Sequence, residues 1–223
     1  MSELVSGRFE AVVFDCDGLL LDTEDLWEEG EARLLAAYGH EYTKEERRRL
    51  LGVSVADAGR IVADILGMPD REAELLAELQ ETCREIILKD ARPMPGAEQL
   101  VADLEGRYPL GVASNAPSDL VRAALEKTGL IGAFGTVLGD GDVRAGKPAP
   151  DLYLLACERL GARPGRSVAL EDSPTGAAAA RAAGTFVIGI PSESGATFEA
   201  DLIAASLEEE TVRRLLLGED GRG

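Results

Sequence analysis

The sequence is poor in the residues that mark several classes of protein. Of its 223 residues, 4% are aromatic, three are cysteines and one is a histidine. The cysteines are far apart and form no Cys-x-x-Cys pair, which argues against a disulfide scaffold or a zinc cluster. The single histidine, His40, and the lack of a Gly-x-Ser-x-Gly motif argue against a Ser-His-Asp hydrolase.

Positive charge and long apolar runs are also scarce. The chain has 23 basic against 41 acidic residues, a formal net charge of −18, so its surface repels nucleic-acid phosphates. The nearest basic stretch, "KEERRRL" (44–50), is interrupted by glutamates and fits a solvated helix face. No run reaches the roughly 18 apolar residues of a membrane span, and the first residues do not match a signal peptide. We therefore expect a cytoplasmic protein that binds neither nucleic acid nor membrane.

Short apolar segments, by contrast, recur along the chain, which is 45% hydrophobic. They are "FEAVVFD" (9–15), "YPLGVAS" (108–114), "GTVLGD" (135–140), "SVALED" (167–172), "TFVIGI" (185–190) and a weaker "ADLIAAS" (200–206). Such near-continuous apolar runs are typical of strands buried on both faces of a parallel sheet. Helical patterns such as "SDLVRAALEKTG" and "APDLYLLACERLG" alternate with them. The order predicts an α/β fold with a doubly wound, Rossmann-like parallel sheet.

Residues 22–89 interrupt this alternation. They contain helical patterns without a convincing strand, and "REAELLAELQETCREIILK" places Leu76, Leu79, Cys83 and Ile86 on one stripe. We therefore predict an inserted helical bundle at 22–89 and an α/β core made of 1–21 and 90–223. The prolines of "DARPMPGAEQL" prevent helix continuation and indicate the linker that returns to the core.

Polar side chains follow the predicted strands. They are Asp15 and Asp17, Ser114 and Asn115, Lys147 in a following loop, and Glu171 and Asp172. Because ligands of open parallel sheets bind beyond the carboxyl ends of the strands, we expect these groups at one edge. Four carboxylates there need a counter-charge, and Mg²⁺ is the hard cation that accepts such oxygen ligands together with a phosphate oxygen. Lys147 and the small donors fit a phosphate cradle, with Ser114 and Asn115 expected just before a helix start.

Each part of this pattern has an ordinary explanation when taken alone. An aspartate at a strand end is commonly a turn residue, and "EDS" (171–173) could cap the following helix. "GDVRAGKP" (141–148) resembles a phosphate-binding loop, but Pro148 stands where that motif has Ser or Thr. "DCDG" resembles a calcium loop, but its glycine comes at the fourth position and not the sixth. The ordered set across four strand ends is what carries the specificity.

Taken together, "DCDGLLLDTE", "SN", "GKPAPDLY" and "EDSPTGAAAARAAG" resemble the haloacid dehalogenase (HAD) superfamily of phosphohydrolases. The similarity is to its β-phosphoglucomutase-like branch, in which a helical cap domain follows the first strand. It implies that Asp15 is the nucleophile and Asp17 the general acid and base. It also implies that Ser114, Asn115 and Lys147 bind the phosphoryl group, and that Asp15, the Asp17 carbonyl and Asp172 hold Mg²⁺ with Glu171 as an outer ligand.

The resemblance predicts a Mg²⁺-dependent phosphatase that acts on a small phosphorylated metabolite, a sugar or polyol phosphate, through an aspartyl-phosphate. A β-phosphoglucomutase-like phosphomutase is the alternative, although Trp27 stands where the mutase has a histidine. A non-catalytic binding protein on the same scaffold is a third. In the insert, Trp27, Lys44 and Gly52 are candidate substrate contacts, and Trp27 could equally be a packed aromatic. We expect a monomer.

Overall fold

The structure is a computed structural model that describes residues 9–50, 53, 55–192 and 198–218. The chain divides into two compact units. The core unit has the bounds Met1–Asp22 and Pro93–Gly223, and the helical unit is Thr23–Arg92. The helical unit thus begins one residue and ends three residues after the predicted insert (23 against 22, and 92 against 89). Its role as a cap domain stays a prediction.

The strands form one large and one small sheet. They are β1 (Ala11–Phe14), β2 (Leu21–Asp22), β3 (Arg92–Pro93), β4 (Leu110–Pro117), β5 (Thr136–Asp140), β6 (Ser167–Glu171), β7 (Phe186–Gly189) and β8 (Leu202–Ile203). The six-stranded sheet has the order β5-β4-β1-β6-β7-β8 with parallel neighbours, and β2 pairs with β3. The chain winds outward from β1 in both directions, which is the doubly wound arrangement. The predicted fold class is therefore confirmed.

The central strands are buried because helices cover the sheet. Every residue of β1 and of β6 is buried, as expected for apolar strands covered on both faces. The helices of the core unit are α5 (Ala97–Leu104), α6 (Ser118–Lys127), α7 (Asp151–Leu160), α8 (Pro174–Ala183) and α9 (Glu210–Leu217), numbered after the four of the helical unit. A core cluster joins Val13 of β1 and Ala169 of β6 to Tyr153 of α7 and Ala179 of α8. The central strands are thus held between helices by a continuous apolar core.

The end of β4 differs from the prediction. β4 continues to Pro117 and α6 begins at Ser118, so Ser114 and Asn115 lie within the strand. α6 nevertheless begins at Ser118, where the helical pattern predicts it, so that Asn115 lies three residues before the helix. The pairing of β4 with β5 shifts in register between Ala113 and Pro117 and resumes with Pro117 opposite Asp140.

The helical unit contains α1 (Glu24–Ala37), α2 (Lys44–Leu50), α3 (Val55–Ile65) and α4 (Glu72–Asp90). α1 and α4 approach closely at Gly30, where an added Cβ would lie 2.3 Å from Cys83 Sγ. Leu79, Cys83 and Ile86 are buried as the stripe predicts, whereas Leu75 takes the place expected for Leu76. Among the described residues, no helix combines the length and the apolar character that crossing a bilayer demands.

Two helices of the core unit have no counterpart in the sequence-based prediction. The start of α5 falls in the predicted return linker, whose prolines prevent a helix, but the helix begins directly after them at Ala97, preceded by the left-handed Gly96 with φ 82°. α9 lies near the end of the described chain and buries Val212 and Leu216. Neither helix carries a predicted site residue.

Candidate active site

Three carboxylates meet at the carboxyl edge of the sheet. Phe14 and Leu170 are register partners in β1 and β6, so Asp15 and the pair Glu171–Asp172 leave neighbouring strands at one level. Oxygens of these three acids lie within 4.8 Å of one another, and all three residues are buried. Acids that are more than 150 positions apart in the sequence (171 − 15 = 156) thus share one site.

Lys147 is the counter-charge within this cluster. Its Nζ lies 2.7 Å from Asp15 Oδ1 and 2.6 Å from Glu171 Oε1, and the side chain is 4% exposed. Burial alone would lower the pKa of this ammonium, but the charges and hydrogen bonds of Asp15 and Glu171 raise the pKa above its usual range. Lys147 is therefore a permanently charged group between two carboxylates.

One ammonium does not balance three carboxylates. Burial raises the pKa of Asp172 to about 9 and the pKa of Glu171 to about 7, and the nearby charge of Asp15 is the second cause in both cases. In addition, Glu171 Oε2 is buried without a hydrogen-bond partner. An excess of buried negative charge with an unsatisfied carboxylate oxygen is a donor set that suits a hard divalent cation. Asp15, Glu171 and Asp172 thus form a buried acidic cluster that could bind a metal ion.

Two glycines allow the acids to approach the backbone. Gly18 has a φ of +72°, and an added Cβ there would lie 2.4 Å from Asp172 Oδ2. On α8, an added Cβ at Gly176 would lie 1.9 Å from Glu171 Oε2. A side chain at either position would displace the neighbouring carboxylate, so both glycines are required by the site's geometry.

Asp17 stands apart from the buried trio. Its Oδ2 accepts a hydrogen bond of 3.0 Å from Ser114 Oγ, which in turn accepts one of 2.9 Å from the Ala116 N–H. The side chain is half-buried, and within the described residues its carboxylate does not join the acidic cluster. Asp15 and Asp17 therefore have different surroundings although they are two residues apart.

Asn115 holds the backbone of Lys147. Its Oδ1 accepts a hydrogen bond of 2.8 Å from the Lys147 N–H, and its Nδ2 donates one of 3.1 Å to the Lys147 carbonyl. An added Cβ at Gly146 would lie 2.7 Å from Asn115 Oδ1, so this clamp also needs a glycine. The amide of Asn115 thus fixes the loop that carries the ammonium, and direct phosphate binding by Asn115 stays a prediction.

Tyr153 is a member of this site that sequence reasoning missed. It lies on α7, is fully buried, and its hydroxyl donates a hydrogen bond to Glu171 Oε1. Lys147 Nζ also lies 5.3 Å from the centre of the Tyr153 ring. Burial and, next, the charge of Glu171 raise the pKa of the phenol well above its ordinary value, so it remains a donor. The tyrosine that ends "GKPAPDLY" was the available signal, but sequence reasoning treated the segment as part of a helix and of the family pattern and assigned Tyr153 no role.

The candidate substrate residues lie in the helical unit. Trp27 is a half-buried residue of α1, and Cys83 Sγ lies 4.0 Å from its carbonyl oxygen. Lys44 is exposed at the start of α2. Gly52 lies outside the described residues. The substrate contacts assigned to these three residues stay predictions.

Comparison with known proteins defines the class. A family model for haloacid dehalogenase-like hydrolases matches residues 9–184. The chain is 34% identical over 198 residues to a probable pseudouridine-5'-phosphatase of Drosophila melanogaster, covering 86% of this chain and 85% of the relative. It is 33% identical over 180 residues to the fructose-1-phosphate phosphatase YqaB of Escherichia coli, covering 79% and 94%. The chain therefore belongs to the haloacid dehalogenase-like hydrolase family.

A solved structure supports the same placement. CbbY of Rhodobacter sphaeroides, crystallised with phosphate, superposes with a TM-score of 0.80 at 28% identity over 90% of this chain and 96% of that one. A substituted form of CbbY holds xylulose-1,5-bisphosphate. The prediction of a HAD-type phosphoric monoester hydrolase is confirmed by the family membership and by relatives named as phosphatases.

Proposed function

We propose that this protein is a Mg²⁺-dependent phosphatase that hydrolyses a small phosphorylated metabolite, a sugar or polyol phosphate, through an aspartyl-phosphate. One observation carries the proposal: the buried Asp15 lies against the Lys147 ammonium, with Glu171 and Asp172 in the same cluster. A carboxylate held beside a fixed cation is suited to attack a phosphoryl group, because the cation offsets the negative charge that the two bring together.

In the first step, a carboxylate oxygen of Asp15 attacks phosphorus and the bond from phosphorus to the substrate oxygen breaks. The leaving alkoxide takes a proton from Asp17, which must be protonated when substrate binds. In the second step, water gives its proton to Asp17 and attacks phosphorus, which releases inorganic phosphate and restores Asp15. The separate environment of Asp17, bonded to Ser114 outside the buried trio, supports its assignment as the group that moves the proton.

Asp15, Asp172 and the Asp17 carbonyl are the proposed ligands of Mg²⁺, with Glu171 behind them. The ion would supply positive charge against the phosphoryl oxygens. Lys147 contributes the fixed ammonium, Asn115 holds the Lys147 backbone, and Ser114 donates a hydroxyl hydrogen bond at the same edge. These residues bind and orient the phosphoryl group, and only Asp15 and Asp17 take part in bond making and proton transfer.

The substrate class is supported by the relatives. They include a fructose-1-phosphate phosphatase of Escherichia coli and a phosphorylated carbohydrates phosphatase of Thermotoga maritima. Trp27, in the unit that the resemblance describes as a cap, supports the phosphatase over the mutase, because the mutase has a histidine there. The monomeric state and the cytoplasmic location stay predictions.

Substitution of the nucleophile tests the mechanism. Asp15→Asn should reduce phosphate release from a panel of sugar and polyol phosphates to less than about one-thousandth of the wild-type rate, because the amide cannot form the acyl phosphate. Asp70→Asn, the same change at an exposed position of the helical unit, is the matched control and should retain activity. Wild-type turnover by the Asp15→Asn protein would exclude the mechanism.

Product analysis separates the phosphatase from the mutase. With β-glucose 1-phosphate and Mg²⁺, we expect free phosphate and glucose. Conversion to an isomeric sugar phosphate without phosphate release would overturn the proposal in favour of a phosphomutase. If the wild-type protein hydrolyses no compound of a broad phosphate-ester panel in the presence of Mg²⁺, a non-catalytic binding role is favoured.

A further inference from the structure

Glu171 and Asp15 both bind the same ammonium. Lys147 Nζ lies 2.6 Å from Glu171 Oε1 and 2.7 Å from Asp15 Oδ1. Glu171 is fully buried, and desolvation strengthens its attraction for a cation. If Lys147 were drawn wholly to Glu171, it would leave Asp15 and the phosphoryl group that the proposed function places beside it. Something must therefore limit the hold of Glu171 on the lysine.

Tyr153 supplies that limit from two sides. Its hydroxyl donates to Glu171 Oε1, the same oxygen that accepts from Lys147, so this oxygen shares its electron density between two donors. Its ring lies beside Lys147 Nζ, 5.3 Å from the ammonium to the ring centre, within the range of a cation–π contact. The ring and the hydroxyl of Tyr153 are both buried, and the residue lies in helix α7.

The other oxygen of Glu171 is fixed by packing. Oε2 is buried without a hydrogen-bond partner, and the missing side chain of Gly176 leaves the space for it. Oε2 therefore occupies the space that Gly176 leaves beside α8, and the carboxylate accepts its hydrogen bonds from Lys147 and Tyr153 at Oε1. Loss of the phenol hydroxyl would leave Lys147 as the single donor to this oxygen.

We propose that Tyr153 is a positioning residue for Lys147, with its hydroxyl satisfying Glu171 and its ring placing the ammonium so that Lys147 remains directed at Asp15. This inference rests on the proposed function for its kinetic consequence, but not for its structural one. Tyr153 touches neither substrate nor the reacting atoms in this mechanism; it acts through Glu171 and Lys147.

The kinetic test uses Tyr153→Phe, which keeps the ring and removes the hydroxyl. We expect kcat to fall about tenfold with KM changed less than about twofold, because Lys147 acts most strongly on the charge of the transition state. Tyr108→Phe is the matched control. Tyr108 lies just before β4, and its hydroxyl donates a 2.9 Å hydrogen bond to the Leu216 carbonyl of α9. This substitution also removes a hydrogen-bonded phenol hydroxyl and should retain wild-type kcat. Wild-type kcat and KM in Tyr153→Phe would overturn the positioning role.

A spectroscopic test separates positioning from loss of folded enzyme. The chain has four lysines, of which Lys147 is buried while Lys44, Lys89 and Lys127 are exposed. A protein labelled with ¹⁵N at lysine Nζ should thus give one ammonium signal with slow proton exchange and a ring-current shift from Tyr153. Tyr153→Phe should keep the ring-current shift and change the hydrogen-bond-sensitive ¹⁵N shift; Tyr153→Leu should remove the ring-current shift.

The wild-type spectrum tests the proposal even if a variant does not fold. A Lys147 signal that coincides with the three exposed lysines would overturn it, and so would a signal unchanged in Tyr153→Phe. If the wild-type protein hydrolyses no phosphate ester but shows the distinct Lys147 signal and its dependence on Tyr153, the proposed function fails while the positioning of Lys147 stands.

Discussion

The acidic cluster at the sheet edge and the surface of the helical unit use ion pairs in opposite ways. In the cluster, Lys147 forms an ion pair with Glu171, and their side chains are 4% and 0% exposed. In α1 of the helical unit, Arg33 forms an ion pair with Glu29, and their side chains are 55% and 50% exposed. Charges that remain in water lose little hydration when they pair, so such pairs form easily and contribute little to stability. A buried cluster loses its hydration entirely, and its attraction offsets this loss only when the geometry is good.

The difference in burial between these ion pairs indicates which region of the molecule serves catalysis. Four ionisable groups are buried at the ends of β1 and β6, and three carboxyl groups beside one ammonium are not a stabilising arrangement when they are ionised. In the helical unit, α1 and α4 approach each other at Gly30 and Cys83, and ion pairs such as Arg33–Glu29 and Arg71–Glu74 lie on the surface. Removal of a charge should therefore be costly in the first region and nearly neutral in the second.

The largest effect is expected for Lys147→Ala. Removal of the ammonium leaves Asp15, Glu171 and Asp172 together without their counter-charge, so we expect a loss of about 3 kcal/mol in the free energy of unfolding in metal-free buffer. Phosphatase activity should fall by about a thousandfold or more, because charge stabilisation at the phosphoryl group is lost. Urea unfolding and phosphate release measure the two effects.

Lys127→Ala is the matched control, since Lys127 is an exposed lysine of α6. Its free energy of unfolding should stay within about 0.5 kcal/mol of the wild-type value. Mg²⁺ should stabilise Lys147→Ala more than wild type, because the cation replaces the missing positive charge. An equal effect of the two alanine substitutions would refute the contrast between buried and exposed charge.

A smaller effect is expected for Gly176→Ala. Alanine would ordinarily favour a helix over glycine by about 1 kcal/mol, but here the new Cβ would meet Glu171 Oε2. Glu171 must then move away from Lys147 and Tyr153, so we expect kcat to fall by about 10- to 100-fold. Gly132→Ala is the control, because no atom lies within 4 Å of an added Cβ at that position, and it should keep wild-type kcat. Wild-type activity in Gly176→Ala would show that Glu171 need not occupy its observed position.

The same contrast explains how much the sequence could predict. The strands and Asp15, Glu171 and Asp172 were predictable because a parallel sheet brings every strand's carboxyl end to one edge, whatever the distance along the chain. The role of Tyr153 was not predictable from the sequence. It depends on how close α7 brings the phenol to one oxygen of Glu171, and no spacing of residues along the chain determines that distance.

The predicted end of β4 was wrong for a related reason. The strand was expected to end at Ser114, yet it continues through Asn115 to Pro117. The pairing of Pro117 with Asp140 after a register shift keeps the chain extended. Pairing with another strand thus overrides the local pattern, and only the neighbouring strand reveals it.

The stability of the metal-free protein should depend on pH in the opposite direction from an ordinary salt-bridged acid. Folding raises the pKa of Asp172 from 3.8 to about 9 and that of Glu171 from 4.5 to about 7, chiefly through burial. The folded state therefore holds protons that the unfolded state releases, and this stability is present below the unfolded pKa and is lost as the pH rises through the folded pKa. We expect a loss on the order of 2 kcal/mol between about pH 5 and about pH 8.

Urea unfolding across this range measures the loss, and Mg²⁺ is expected to reduce it, because the ion favours the ionised acids. Glu31 of the helical unit titrates in the same direction, since burial raises its pKa to about 7. The Glu31→Gln protein therefore isolates the contribution of the core unit. A flat or rising stability in that background would contradict the excess of buried acid at the site.

The smallest effect is expected for Arg33→Ala in the helical unit. The pair with Glu29 is of the i,i+4 type on a helix surface, and both side chains are about half exposed, so water replaces the lost contact. We expect a change of less than about 0.5 kcal/mol in the free energy of unfolding and none in kcat. Raised salt should remove even this difference, because screening weakens exposed pairs more than buried ones. A loss near that of Lys147→Ala would mean that exposure does not decide the worth of an ion pair in this protein, and that the helical unit depends on its surface charges for its fold.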